Sequence, residues 1–287
     1  MYSSSSSITL VTALYDIKRE TKGDGRKFSD YLEWFGKTLQ LEESMVIFVD
    51  KSLESFVLEK RAHLPNKTKL IIRSFTDLPC YKYLEKIKGI LSSLKHQPTD
   101  LSLKLPEYEV VIHSKAGLLQ ECMDQNYFKT NLFGWIDAGV SRFWKQVDPK
   151  KEWPHSDYRT MIERSNRVWI QPSSYKRKRY TCKDIGSCLC RVFATIFIGT
   201  QNVMTLLCGL LDRFLEQHML KKNRIDNEQM SLSILGEAKY KNIFQYVCKH
   251  KPGMFSWLFK SHHLVLSDIL SQPFNSEMHF DPKIQKF

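Results

Sequence analysis

A chain of 287 residues that is 42% hydrophobic and 12% aromatic can bury a large core, which excludes a disordered or low-complexity protein. With 12 glycines and 10 prolines it is no fibrous repeat either. The formal net charge of +12 attracts nucleic acid, acidic membrane and phosphorylated sugar alike, and chooses among none of them.

In chain order, Met1 to Ser7 is a short polar tail without the basic and apolar regions of a secretory signal, so a cytoplasmic protein is expected. Ile8 to Tyr15 (ITLVTALY) reads as a buried central strand ending at Asp16. After a loop at Gly23-Asp24-Gly25, Phe28, Tyr31, Leu32, Phe35 and Leu39 recur at helical spacing. Met45 to Val49 is a second strand ending at Asp50, a helix carries Leu53, Phe56 and Val57, and Lys69 to Ile72 is a third strand. Pro79 suits the first turn of a helix bearing Leu84, Ile87, Ile90, Leu91 and Leu94. Glu109 to His113 (EVVIH) reads as a strand leading into a helix capped by Ser114, with Lys115 in its first turn. Leu132 to Ile136 is a strand ending in Asp137-Ala138-Gly139.

The stretch from Lys145 to Lys183 is polar and basic, with one strand at Arg167 to Gln171. Val192 to Leu211 lacks charge, yet its Gly-Thr-Gln-Asn break divides it into a strand and an amphipathic helix, where a membrane span needs about 20 predominantly apolar residues. A short helix begins at Asp226, and Asn242 to Val247 is a late strand. The seven cysteines lack paired C-x-x-C spacing and read as reduced thiols.

Alternating strands and helices predict an α/β fold with a mostly parallel sheet, whose ligands sit beyond the carboxyl ends of the strands. Asp16, Asp50 and Asp137 stand at those ends. A carboxylate followed by two small residues can approach a cation on a diphosphate closely, and hard cations prefer oxygen. The same Asp-Ala-Gly can also be a plain turn. Lys115, at a helix start, could pair with a phosphate or simply be exposed. Tyr175 to Tyr180 (YKRKRY) could bind RNA, an anionic glycan or a membrane surface, or be a solvated loop. The six tryptophans default to core packing, with sugar stacking as a second use.

Several segments together resemble the HtrL/YibB (WlaTC-like) family of proposed glycosyltransferases. They are ITLVTALYDIKRE from Ile8, YLEWF from Tyr31, MVIFVD from Met45, HSK from His113, WIDAGVSRFW from Trp135 and DNEQ from Asp226. The resemblance implies one GT-A-like domain, with a Rossmann-like nucleotide-sugar-binding half over residues 1–144 and an acceptor-side half over 145–287. It places Thr12, Ala13 and Asp16 near the base or ribose of a nucleoside diphosphate sugar. It makes Asp137 the ligand of Mn2+ or Mg2+, and Asp226 or Glu228 the general base for an acceptor hydroxyl. The acceptor would be a glycan, a lipid-linked sugar or a protein, with peripheral membrane contact through the basic surface and no specific nucleic acid. The usual Asp-X-Asp is Asp-Ala-Gly here, so a second metal ligand would come from elsewhere, with His250, His262 and His263 the candidates, each otherwise a surface or packing histidine. Two other readings stay open: a basic nucleic-acid-binding protein, and an inactive relative of the transferases.

Overall fold

The computed structural model describes residues 7–94, 100–173, 180–188, 192–237, 240–247 and 266–274. Its centre is a seven-stranded sheet in the order β3-β2-β1-β4-β6-β5-β7. The strands are β1 (Ile8–Leu14), β2 (Ser44–Val49), β3 (Thr68–Ile72), β4 (Leu132–Ile136), β5 (Val168–Pro172), β6 (Val192–Thr200) and β7 (Phe244–Tyr246). Pairs β1–β2, β2–β3, β1–β4 and β5–β7 are parallel, while β6 runs antiparallel to both β4 and β5. The α/β, mostly parallel architecture is as the alternation predicts.

Period-two alternation feeds two cores, one on each face of the sheet. Val11, Ala13, Val46 and Phe48 enter one cluster, with residues of α4 (Leu84–Ser92), α5 (Pro106–Gln125), α7 (Gln201–Phe214) and α8 (Glu228–Glu237). Leu10, Leu14, Met45, Ile47 and Val49 enter the other, with α2 (Phe28–Thr38), α3 (Glu54–Lys60), α6 (Ser156–Ser165) and α9 (Leu266–Leu270). The remaining helix, α1 (Arg19–Lys22), is a single turn after β1. Covering on both faces is why β1, β2 and β4 read as unbroken apolar runs.

The chain steps outward from β1 to β2 to β3, then returns through α5 to place β4 on the other side of β1. Val11 pairs with both Val46 and Trp135, so β1 and β4 end side by side with their connections leaving in opposite directions. Such a switch point opens a crevice at the carboxyl edge of a sheet.

Three expectations need correction. Glu109 to His113 is not a strand but lies within the first two turns of the 20-residue α5, which starts at Pro106. Its β-branched residues favour a strand in isolation, but Pro106 at the first helical position and burial of 11 side chains along the helix override that preference. Ser114 is therefore no N-cap; mid-helix, its hydroxyl bonds back to the Val110 carbonyl at 2.7 Å. Lys115 likewise sits deep in α5, so it owes nothing to a helix N-terminus. The basic stretch after Lys145 also holds an unforeseen helix, α6, which buries Tyr158, Arg159 and Ile162.

The Val192 to Leu211 run divides into β6 and α7 as expected, and no helix among the described residues is long and apolar enough to cross a membrane. Cys80, Cys122, Cys182, Cys188 and Cys208 are free thiols.

Candidate active site

A cleft of about 380 Å³ lies at the switch point, between the segment after β1, the first half of α5 and the loop after β4. Ala13, Asp16, Lys115 and Asp137 all line it. Thr12 does not: it is fully buried in β1, on the opposite face to Ala13, and its hydroxyl lacks a hydrogen-bond partner among the described residues. Asp50 instead caps the turn after β2, accepting from the Ser52 amide at 3.5 Å. Asp16 accepts from the amide and the ammonium of Lys18, at 2.9 and 2.5 Å. Burial pushes its carboxyl up, but the Lys18 bonds prevail and hold it below the ordinary range.

Asp137 follows directly from β4, with its amide anchored on the Thr195 carbonyl at 2.8 Å. Its Oδ1 accepts from Trp135 Nε1 at 2.6 Å and lies 2.8 Å from Lys115 Nζ. The side chain remains 33% exposed, and Oδ2 has no partner among the described residues. Lys115 is 4% exposed. Its ammonium also pairs with Glu228 at 2.6 Å and donates to the Ala194 carbonyl at 3.2 Å. Burial opposes its charge, but Asp137 and Glu228 more than offset that, so Lys115 keeps its proton beyond the ordinary lysine range.

Glu228 thus reaches the site only through Lys115 and does not itself line the cleft. Asp226 lies farther off and is fully buried. Its Oδ2 accepts from the amides of Gly186 and Cys188 at 2.7 and 3.1 Å, and its Oδ1 from that of Asn227 at 2.8 Å. Three amide donors make this carboxylate a fastener for the segment before β6.

Behind Lys115, α5 carries a second buried pair. His113 Nε2 is 2.9 Å from the Asp226 carbonyl, which can only accept, so this nitrogen bears a proton. It also lies 3.1 Å from Glu109 Oε2. Burial pushes the Glu109 carboxyl up to about 7, against the pull of His113. Burial would lower His113, but Glu109 outweighs it and the net shift is upward. Both groups therefore hold protons more tightly folded than unfolded. The stability they contribute is complete below their unfolded-chain values and drains away as pH climbs through about 7. Thermal melts should accordingly show stability falling between about pH 6 and pH 8, and Glu109→Gln should fall less across that window. An equal fall in the variant would exclude this pair as the source.

The cleft mouth holds residues to which the sequence reading assigned no role. Guanidinium groups and aromatic rings alternate along it. Arg19 lies 5.5 Å from the Tyr108 ring and 5.4 Å from Tyr31. Arg26 lies 5.9 Å from Tyr31 and 5.8 Å from Trp34. Arg142 lies 5.3 Å from Trp34 and 4.5 Å from Phe143. Arg19 clamps Asp24 with two bonds, 3.1 and 2.6 Å, and also donates to the Tyr31 hydroxyl. Arg26 meets Asp24 at 3.8 Å, while the Arg142 guanidinium has no ion pair or hydrogen bond among the described residues. The signal was present as Arg142 within WIDAGVSRFW and as arginines flanking Gly23-Asp24-Gly25, but the interleaving depends on the fold.

Among the described residues, those around Asp137 fit a divalent cation poorly. Asp137 is a single carboxylate already neutralised by an ammonium. A cation on Oδ2 would have to share the carboxylate with the Lys115 ammonium already on Oδ1. The position that would hold a second acid is crowded as well. A Cβ on Gly139 would stand 3.3 Å from the Tyr31 ring and 3.4 Å from that of Trp34. The loop is tied down there, with Thr38 Oγ1 donating to the Ala138 carbonyl at 3.0 Å and Ser141 Oγ to that of Trp34 at 2.7 Å. No three His, Cys, Asp or Glu side chains gather as a metal-ligating group among the described residues. His250, His262 and His263 lie outside those residues, as do Trp257, Cys190 and Tyr175 to Arg179 of the YKRKRY segment.

The family described as "Bacterial protein of unknown function (HtrL_YibB)" matches residues 6–260. The chain belongs to that family. No curated protein matches it in sequence. In fold it is similar to core-mannan synthase A (CmsA/Ktr4) from Aspergillus fumigatus in its Mn/GDP form, with a TM-score of 0.51 and 11% identity over 86% of this chain and 74% of that one. A weaker likeness, TM-score 0.42 and 8% identity over 84% of each chain, is to mouse xyloside xylosyltransferase 1. The fold is thus GT-A-like, with β1 to β4 as its Rossmann-like half.

Proposed function

We propose that this protein transfers a sugar from a nucleoside diphosphate sugar to an acceptor hydroxyl. One observation carries the reading: a partly exposed carboxylate, Asp137, and a row of arginines converge on one cleft at the switch point of a GT-A-like sheet. Residues 1–144 then form the donor half and 145–287 the acceptor half. Ala13 and Asp16, beside the end of β1, suit the nucleoside.

In an in-line displacement the acceptor oxygen bonds to the anomeric carbon as the bond to the diphosphate breaks. The electron pair leaves with the diphosphate, and the hydroxyl proton passes to a base. Asp226 is fully buried and held by three amides and Glu228 lies beneath Lys115, so the base best placed is Asp137 through Oδ2. Lys115 and Trp135 hold its other oxygen and aim it. Glycan, lipid-linked and protein acceptors all supply such a hydroxyl, and the basic surface would serve a membrane-borne one.

Thermal melts with uridine, guanosine, cytidine and thymidine diphosphate sugars test the reading. At ~100-fold over its dissociation constant the correct donor should add about 2.7 kcal/mol, or about 4–5 °C for a chain of this size. A flat response to all four would overturn it.

A further inference from the structure

A bound nucleoside diphosphate sugar must have its diphosphate charge matched, all the more as the charge grows when the sugar departs. In this cleft Asp137 is the wrong sign, and Lys115 is committed to two carboxylates. The uncommitted positive charge lies at the mouth. Arg19, Arg26 and Arg142 share one carboxylate partner among the described residues, Asp24, and Arg142 takes no part even in that.

Their seating matters as much as their charge. A guanidinium stacked on a ring spends its face on the contact and leaves its in-plane N–H donors free. Those donors lie in the fork geometry that phosphate oxygens accept. The Arg142 guanidinium lies 5.3 Å from the Trp34 ring centre and 4.5 Å from that of Phe143, with no donor spent among the described residues. Arg26, between Tyr31 and Trp34, spends one on the Tyr31 hydroxyl at 3.2 Å. The same two rings close off the space beside Gly139 where a second acid would stand. The rings that crowd the position of a second carboxylate therefore also border the arginines.

We infer that Arg142 and Arg26 form the diphosphate subsite of the donor and take the place of a divalent cation in this protein. The inference rests on the transferase reading and extends it to a metal-independent mode of donor binding.

Equilibrium binding of uridine, guanosine, cytidine and thymidine diphosphates to the full chain, in excess EDTA and again in Mn2+, tests it. The binding diphosphate should show affinities within about threefold of each other in the two conditions. Arg142→Gln should weaken it by about tenfold or more, and should weaken the matching monophosphate far less. Arg142 is exposed, so an unchanged melting temperature will show that the variant is folded. Arg26→Gln provides a second, independent reading. Binding that needs Mn2+ overturns the inference and leaves the transferase reading standing. So does binding indifferent to both substitutions, or an equal loss for monophosphate and diphosphate. No binding by any of the four overturns both.

Discussion

Lys115→Met should cost this protein about 3–5 kcal/mol, an expected fall in melting temperature of about 5–8 °C for a chain of this length. The reason lies in what the substitution strands. Lys115 Nζ is 2.6 Å from Glu228 and 2.8 Å from Asp137, and Glu228 is only 5% exposed. Glu228 Oε2 already lacks a hydrogen-bond partner among the described residues. Methionine fills much of the lysine's volume, so packing is nearly kept, but Glu228 becomes a buried charge without a counter-ion. Breaking one side of a buried pair is costly because of the charge left behind. Asp137, being partly exposed, can turn to water and adds less. The double variant Lys115→Met/Glu228→Gln should therefore recover much of the loss, because a neutral amide needs no ammonium. Chemical denaturation of the two variants beside the parent checks this. A single variant as stable as the parent, or a double variant no better than the single, would show that the ion pair does not lock α5 to α8.

This lock marks the border between what was legible in the sequence and what was not. The strands β1, β2 and β4 could be read because a strand buried on both faces is an unbroken apolar run, each here closed by an aspartate. That reading placed Asp16 and Asp137 at the cleft, since strand ends are where an open sheet admits ligands. Helix α5 could not be read in the same way. It buries Glu109, His113 and Lys115 along with its apolar residues, so its pattern shows neither a polar face nor a clean helical stripe. The partners that make those charges tolerable, the Asp226 carbonyl and the Glu228 carboxylate, lie 113 residues along the chain in each case. The roles of Asp226 and Glu228 were obscure for the same reason. As neighbours of a helix start they look alike, yet one fastens the backbone at Gly186 and Cys188 and the other answers Lys115. Arg142 was in plain view within a recognised segment, but freedom from any counter-ion is a property of the folded surroundings. Gly139 behaves likewise: its φ of −91° demands no glycine, and the rings of α2 that crowd its Cβ position lie far off in sequence.

Asp137→Asn should lower turnover by about 10²–10⁴-fold, the usual worth of a positioned acid or base, while barely disturbing the fold. Asparagine has the same shape, and its carbonyl oxygen still accepts from Trp135 Nε1 and Lys115 Nζ. Lys115 keeps Glu228 as its counter-charge at 2.6 Å. What disappears is the basicity of Oδ2 and one negative charge from the cleft. The second loss gives the experiment its discriminating arm. If Asp137 acts on the acceptor and the arginines hold the diphosphate, removing a like charge should leave nucleoside diphosphate affinity unchanged or tighter. If Asp137 instead holds a cation that bridges to the diphosphate, the same substitution should weaken binding in Mn2+. Turnover and affinity measured on one variant thus separate the two assignments. A variant that turns over at the parental rate would take Asp137 out of the reaction altogether, and the other carboxylates of the cleft, Asp16 and Glu20, would be the next to test.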